Sequence, residues 1–132
     1  PAPGNRESGQ LYTGVSTDTV TAGFRIYSGA KRRESTLALL AEPRVVADPE
    51  WVAKQKKRLG RRYESYWYTT EKGEWTKHSG WPAAADDWKK ILAWIVRCKF
   101  SPAASTRASF SRDVTKVFRD LYPLLRFTSL PE

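Results

Sequence analysis

The alternation of hydrophobic and polar residues predicts two β-hairpins. The segment 11–27 is rich in threonine, valine and aromatic residues, its apolar positions alternate over 20–26 with the two-residue period of a strand, and the polar residues 16–18 predict a turn within it. The alternating apolar positions of the second strand are Val20, Ala22, Phe24 and Ile26. A second hairpin is predicted from the aromatic run 63–69, the turn 71–73 and the return at 75–77.

Two helices are predicted between the hairpins. Ser35 can cap a short helix that contains several leucines and ends before Pro43, because the residue preceding a proline avoids the helical conformation. A second helix is predicted over 49–59, with Asp48 as its cap and Gly60 as its end.

Helical periodicity predicts two more helices at the end of the chain. The helix over about 84–98 rests on apolar residues at spacings i, i+3, i+4 and i+7, and the helix over about 104–122 has a longer stripe and ends before Pro123. These stripes consist of Trp88, Ile91, Leu92 and Ile95 and of Phe110, Val114, Val117, Phe118 and Leu121.

These elements predict an α+β fold. Two short β-hairpins form a small antiparallel sheet packed with three to four helices, and the C-terminal half is helical. Residues 1–10 are rich in Pro, Gly and polar residues and are expected to form a flexible N-terminal tail. Residues 11–132 are expected to form a single basic domain, since a chain of this length normally builds one core.

The charge of the chain indicates an anionic partner. Its 23 Lys and Arg against 14 Asp and Glu give a formal charge of +9, which favours RNA, DNA or an anionic membrane surface. No run of apolar residues is long enough for a membrane span, the first residues lack a secretory signal pattern, and Cys98 is the only cysteine. The sequence therefore predicts an intracellular protein, cytoplasmic or nuclear, without a membrane span.

The sequence contains no recognisable catalytic or metal-binding motif. His78 is the only histidine, so neither a catalytic triad nor a zinc ligand set can be assembled with the single cysteine. Glycine-rich phosphate loops are missing, and Asp86 with Asp87 suits the first turn of a helix. We therefore expect a protein that is not an enzyme and needs neither a cofactor nor a metal.

A dense group of cations follows the second predicted helix. Six cations lie within nine residues, with no acid among them: Lys54, Lys56, Lys57, Arg58, Arg61 and Arg62, here called the cationic ridge. On a helix, most of these side chains share one face, which can contact a phosphate backbone or simply face solvent.

Aromatic residues follow the ridge directly. On a strand, Tyr66 and Tyr68 point to one face and Trp67 to the other, so one set can pack in the core while the other stacks on unpaired bases. The loop cations Lys31, Arg32 and Arg33 form a further candidate contact, whereas the basic positions 112, 116 and 119 favour a solvated helix face.

These features favour a nucleic-acid-binding domain. The cationic ridge would hold phosphates and the aromatic residues would stack on bases, so RNA or single-stranded DNA suits the surface better than duplex DNA. A helix-turn-helix built from the last two helices keeps duplex DNA open. The alternative is a protein-interaction or assembly module with a Trp-rich interface, for example a small viral structural protein, with a homo-oligomer or another protein as partner.

Overall fold

The computed structural model describes residues 9–27 and 36–128, apart from the side chains of residues 36, 39 and 40. The elements in chain order are β1 (Gln10–Val15), β2 (Val20–Tyr27), α1 (Thr36–Ala47), α2 (Trp51–Leu59), β3 (Glu64–Glu71), β4 (Glu74–Ser79), α3 (Ala85–Lys90), β5 (Ala93–Phe100) and α4 (Phe110–Phe127). Most of the predicted tail and the loop that carries Lys31, Arg32 and Arg33 lie outside the described residues.

The five strands form one antiparallel sheet in the order β1-β2-β5-β3-β4. Both predicted hairpins are present, and the α+β class is confirmed. The turn at 16–18 lies between β1 and β2, and Lys72 and Gly73 adopt the positive φ angles of a tight turn between β3 and β4. Strand β5 pairs with one strand of each hairpin and so joins them into a single sheet.

The predicted helix over 84–98 is wrong beyond its first turns. Helix α3 ends at Lys90, and Ala93–Phe100 forms the central strand β5. This strand has buried side chains on both of its faces, with Trp94 and Val96 on one and Ala93 and Ile95 on the other. A continuous apolar run of this kind does not distinguish a strand buried on both faces from a helix, and tertiary pairing decides the outcome.

Both helices that were expected to end before a proline continue through it. Helix α1 contains Pro43 and helix α4 contains Pro123. A proline inside a helix removes one backbone hydrogen bond, but the residues that follow bury apolar side chains. Val45, Leu124 and Phe127 are buried in the core beyond the two prolines. Burial of these side chains offsets the lost hydrogen bonds.

Helix α4 also begins later than predicted. The segment before it forms turns and a short 3-10 helix at Ala104–Thr106, and the α-helix starts at Phe110. Helix α2 matches its predicted range closely and ends at Gly60, whose positive φ of 74° suits glycine. Its predicted cap differs, because the main-chain oxygen of Asp48, and not its side chain, accepts the Trp51 amide at 3.2 Å.

Each of the four described helices contributes to the core on one face of the sheet. This core combines helical residues with side chains of β2, β3 and β5 that share one face by register. At its centre, Trp94 contacts Trp88 edge to face, and the Trp94 Nε1–H donates to Ser65 Oγ at 3.1 Å. No helix among the described residues is long and apolar enough to cross a membrane.

Candidate nucleic-acid interface

The opposite face of the sheet is not covered by any described helix. Its small cluster of buried residues, Tyr66, Ala93 and Ile95 with Tyr68 packed against them, contains strand residues only. Side chains of adjacent strands that are paired in register lie on the same face. The strand pairing therefore places several residues together on this face, as in the pairs Tyr27↔Ala93, Tyr68↔Ala93, Arg25↔Ile95, Tyr66↔Ile95 and Glu64↔Arg97. We call this surface the open face.

Aromatic and basic side chains alternate across the open face. Its aromatic residues are Tyr12, Tyr27, Tyr66, Tyr68 and Trp75, and its cations are Arg25, Lys77, Arg97 and Lys99. Among the described side chains on this face, Glu64 is the carboxylate, and it contacts Arg97 at 3.0 Å and Lys99 at 3.4 Å. The open face is therefore basic as well as aromatic.

Cations lie directly over several of the rings. The Arg25 guanidinium is 4.5 Å from the centre of the Tyr12 ring. The Tyr66 ring is contacted by Lys77 at 4.3 Å and by Arg97 at 5.0 Å. These cation-π contacts hold the charged groups close to the sheet, and the ion pair with Glu64 holds Arg97 there as well.

The accessible rings lie at one end of the open face. Tyr27 and Trp75 are 43% and 46% exposed, and Tyr68, which lies between their strands, is partly buried. Tyr68 contacts Trp75 at a centroid distance of 5.7 Å. These three side chains, here called the aromatic strip, give the open face accessible ring surface beside its cations.

Burial and neighbouring charges perturb titrations on this face. Burial, together with neighbouring tyrosines, raises the pKa of Tyr66 to about 12, against the opposing effect of Arg97. Burial and the neighbouring Tyr68 also raise the pKa of Tyr27. Partial burial alone would raise the pKa of Glu64, but Arg97 and Lys99 outweigh it and the pKa is lowered. Tyr27 and Tyr66 are thus neutral hydrogen-bond donors near neutral pH, and Glu64 is ionised.

The aromatic residues of β3 lie on two faces of the sheet, as the strand pattern predicted, with Tyr66 and Tyr68 on the open face. Tyr66 is only 9% exposed and lies beneath two cations, so it supports the surface more than it offers a free ring. Trp67 is buried in the core and stacks on His78 at 4.2 Å. Its position in the core leaves Trp67 unable to stack on a base.

The cationic ridge lies on the other side of the sheet. Helix α2 buries Val52 and Leu59 in the helix-covered core, and its basic side chains are exposed. Lys54 forms an exposed ion pair with Glu50 at 3.8 Å. The ridge and the open face are therefore two surfaces, and the structure does not bring the cations of α2 beside Tyr66 and Tyr68.

Two arginines of the ridge, Arg58 and Arg62, are engaged within the domain. Arg58 donates to Gln55 Oε1 and to the main-chain oxygen of Asp120 at 2.6 Å. Arg62 lies 5.6 Å from the centre of the Phe100 ring and donates to Cys98 Sγ at 3.2 Å. These contacts attach α2 and the following turn to α4 and β5, so Arg58 and Arg62 stabilise the fold whether or not they also meet a ligand.

Several residues of the open face were not identified from the sequence. Arg25 and Tyr27 alternate with the apolar residues of β2, so the same strand pattern could have placed them on the outer face. The helical interpretation of 84–98 hid Arg97, because a helix distributes its positions differently, and it left Lys99 just beyond the end of the predicted helix. Only when residues 93–100 are recognised as strand β5 does the alternation of a strand place Arg97 and Lys99 on the outer face.

The described residues contain no candidate metal site. No cluster of three or more His, Cys, Asp or Glu side chains there has the arrangement of a metal site. His78 Nε2 lies 2.8 Å from Thr69 Oγ1, and on helix α4 Lys116 pairs with Asp120 at 3.0 Å. These contacts are those of structural residues on a strand and a helix surface.

Comparison with known proteins adds no further constraint. No protein-family model matches the chain, and no curated protein or solved structure shows significant similarity to it. The site must therefore be interpreted from its own geometry.

Proposed function

We propose that this domain binds RNA or another single-stranded nucleic acid on the open face of its sheet. The observation that carries the proposal is the juxtaposition on one uncovered face of an accessible aromatic strip and four cations. Aromatic rings provide stacking surfaces for unpaired bases, and lysine and arginine neutralise the phosphates between them. In this proposal the cationic ridge is a second, electrostatic contact on another side of the domain.

Single strands fit this surface better than duplexes. Bases in a duplex are already stacked on their neighbours, so exposed rings such as Tyr27 and Trp75 have little to contact there. The predicted helix-turn-helix loses its basis, since residues 93–100 are a strand and no helix precedes α4 in the required arrangement. A nucleic-acid partner also agrees with the proposed cytoplasmic or nuclear location.

The alternative of a Trp-rich protein interface is less well supported. Trp88 and Trp94 are completely buried, Trp67 is nearly so, and two further tryptophans pack partly against the core. Only Trp75 is strongly exposed among the six. An apolar partner, whether another protein or a second copy of this chain, would have to use the aromatic strip itself.

The test measures fluorescence anisotropy of labelled single-stranded RNA, duplex RNA and duplex DNA over a series of salt concentrations. The variant Tyr27→Ala/Trp75→Ala removes two exposed rings, and Tyr122→Ala, at 49% exposure on α4, is the matched control. Stacking is worth about 1–3 kcal/mol per base, so the double variant should weaken binding of the single strand at least tenfold, as about 1.4 kcal/mol per factor of ten implies.

Three outcomes separate the hypotheses. Salt-dependent binding of single strands that falls in the double variant and not in Tyr122→Ala supports the proposal. Binding that depends on salt but is unaffected by the double variant places the contact elsewhere, and the ridge variant Lys57→Gln/Arg61→Gln then tests α2. A folded protein that binds none of the three nucleic acids at low salt refutes the proposal.

A further inference from the structure

A cavity of about 490 Å³ opens between α2 and the adjoining ends of β3 and β4. Its volume falls within the range of sites that bind small molecules. The residues that line it are Ala53, Lys56, Lys57, Gly60, Arg61, Tyr63, Ser65, Gly80 and Trp81. It lies on the helix-covered side of the sheet and includes part of the cationic ridge.

The walls of the cavity are mostly apolar, and its two aromatic residues are held in place. The Tyr63 hydroxyl donates to Asp120 Oδ2 at 2.7 Å, and Trp81 packs edge to face on Trp94 at 5.7 Å. Neither ring needs to be ordered when a ligand binds, which reduces the entropic cost of binding. Rings fixed in this way suit a flat, apolar ligand group.

The rim of the cavity is cationic. Lys56, Lys57 and Arg61 line it, no carboxylate does, and none of the three forms an ion pair with a described carboxylate. Lys54, one turn earlier on α2, is by contrast paired with Glu50. Unpaired cations beside a mostly apolar cavity favour a ligand that combines a planar group with an anionic one.

Two glycines line the cavity. Gly60 and Gly80 have positive φ angles, and a Cβ atom built on either would meet no atom within 4 Å. The Gly80 amide donates to the Ser65 main-chain oxygen at 2.9 Å, which closes the end of the β3–β4 hairpin beside Trp81. The ligand could therefore approach the backbone here without obstruction by a side chain.

We propose that this cavity binds a nucleotide, with the base against Tyr63 and Trp81 and the phosphate at Lys57 and Arg61. The inference rests on the proposed function for the class of ligand and deepens it by naming a second contact. Ser65 lines the cavity while the next residue, Tyr66, lies on the open face, so the two surfaces are on opposite sides of the sheet at the start of β3. The cavity is thus a nucleotide contact separate from the open face.

The test is a titration of the isotopically labelled protein with AMP, adenosine and inorganic phosphate, followed by amide and indole NMR signals. AMP should shift the Gly60 and Gly80 amides and the Trp81 indole, and it should bind about tenfold tighter than adenosine because the phosphate adds charge-assisted contacts. Equal affinities for AMP and adenosine would overturn the assignment of the phosphate to the cations. No shift at these signals with any probe would overturn the nucleotide site.

Two variants locate the site. Ala53 is exposed on α2 and lines the cavity, so Ala53→Phe fills it with little effect on the core, and Ala53→Ser is the matched control. Ala53→Phe should weaken AMP binding more than about tenfold, while Ala53→Ser should leave it within about twofold. Lys57→Gln/Arg61→Gln should reduce AMP affinity to that of adenosine. AMP binding that survives Ala53→Phe would contradict the proposal.

The same variants distinguish failure of this inference from failure of the proposed function. If labelled RNA binds and responds to Tyr27→Ala/Trp75→Ala while AMP shifts no cavity signal, the open face stands and the cavity inference fails. If AMP binds in the cavity while no strand binds the open face, the proposed function fails and the cavity is an isolated nucleotide site.

Discussion

Replacing Gly23 by alanine tests the packing between the central strands. Gly23 lies on β2 opposite Arg97 of β5, and a Cβ atom added there would be 2.6 Å from the Val96 main-chain oxygen. The same atom would be 2.8 Å from Arg97 Cβ and 2.9 Å from Arg97 Cα. Because backbone atoms form part of this contact, the two strands must separate locally to accept a methyl group.

The expected cost follows from two opposing effects. Overpacking of this kind costs about 1–3 kcal/mol, and replacing a strand glycine by alanine returns about 0.5–1 kcal/mol through the lower entropy of the unfolded chain. We therefore expect Gly23→Ala to lower the free energy of unfolding by about 1–2 kcal/mol. The displacement should also move Arg97, which contacts the Tyr66 ring on the open face.

The assay is urea denaturation, in which the midpoint falls while the slope stays constant if only stability changes. Gly14→Ala is the matched control, since this glycine lies on the edge strand and its nearest neighbour is the Thr21 Oγ1 at 3.0 Å, a side-chain atom that can move. We expect the control to change stability by no more than about 0.5 kcal/mol. Equal losses in both variants, or an unchanged midpoint for Gly23→Ala, would refute the steric argument.

Two further predictions concern buried aromatic residues. In the same denaturation assay, Trp94→Phe should lower the free energy of unfolding by about 1 kcal/mol more than Trp88→Phe. Of these two indoles, only that of Trp94 has a hydrogen-bond acceptor among the described residues, Ser65 Oγ. Equal losses in the two variants would contradict this prediction. Tyr66, whose pKa is raised from 10.0 to about 12, stays protonated in the fold after the unfolded chain has ionised. The protonated phenol therefore stabilises the fold fully below pH 10, and this stabilisation declines as the pH rises towards about 12. Over that range the free energy of unfolding should fall less steeply in Tyr66→Phe than in the protein that retains Tyr66. Ionisation of this phenol near its ordinary pKa, seen as tyrosinate absorbance in a comparison with the variant, would show that burial does not protect it.

Much of the local structure follows from the sequence. Alternation along β2, the turn at Lys72 and Gly73, and the cap at Gly60 all depend on neighbouring residues, so the two hairpins and α2 could be predicted. The separation of Trp67 from Tyr66 and Tyr68 likewise follows from the two-residue period of a strand. The sequence also determined the excess of positive charge, which any arrangement of the chain must place at its surface.

Tertiary structure decided how these parts combine. The run around Trp94 and Ile95 is compatible with a helix until β2 and β3 provide partners on both sides, and it then becomes the central strand. Burial of Leu124 and Phe127 likewise extends α4 beyond a proline that would end an isolated helix.

The same pairing determined the candidate site. Arg97 and Lys99 join Tyr27 and Trp75 on the open face only because β5 lies between the hairpins, and α2 packs on the opposite face with the cationic ridge. Local sequence sets the direction of each side chain within its own element. Which elements share a surface depends on contacts between residues far apart in the chain, and those contacts form only when the whole core is buried.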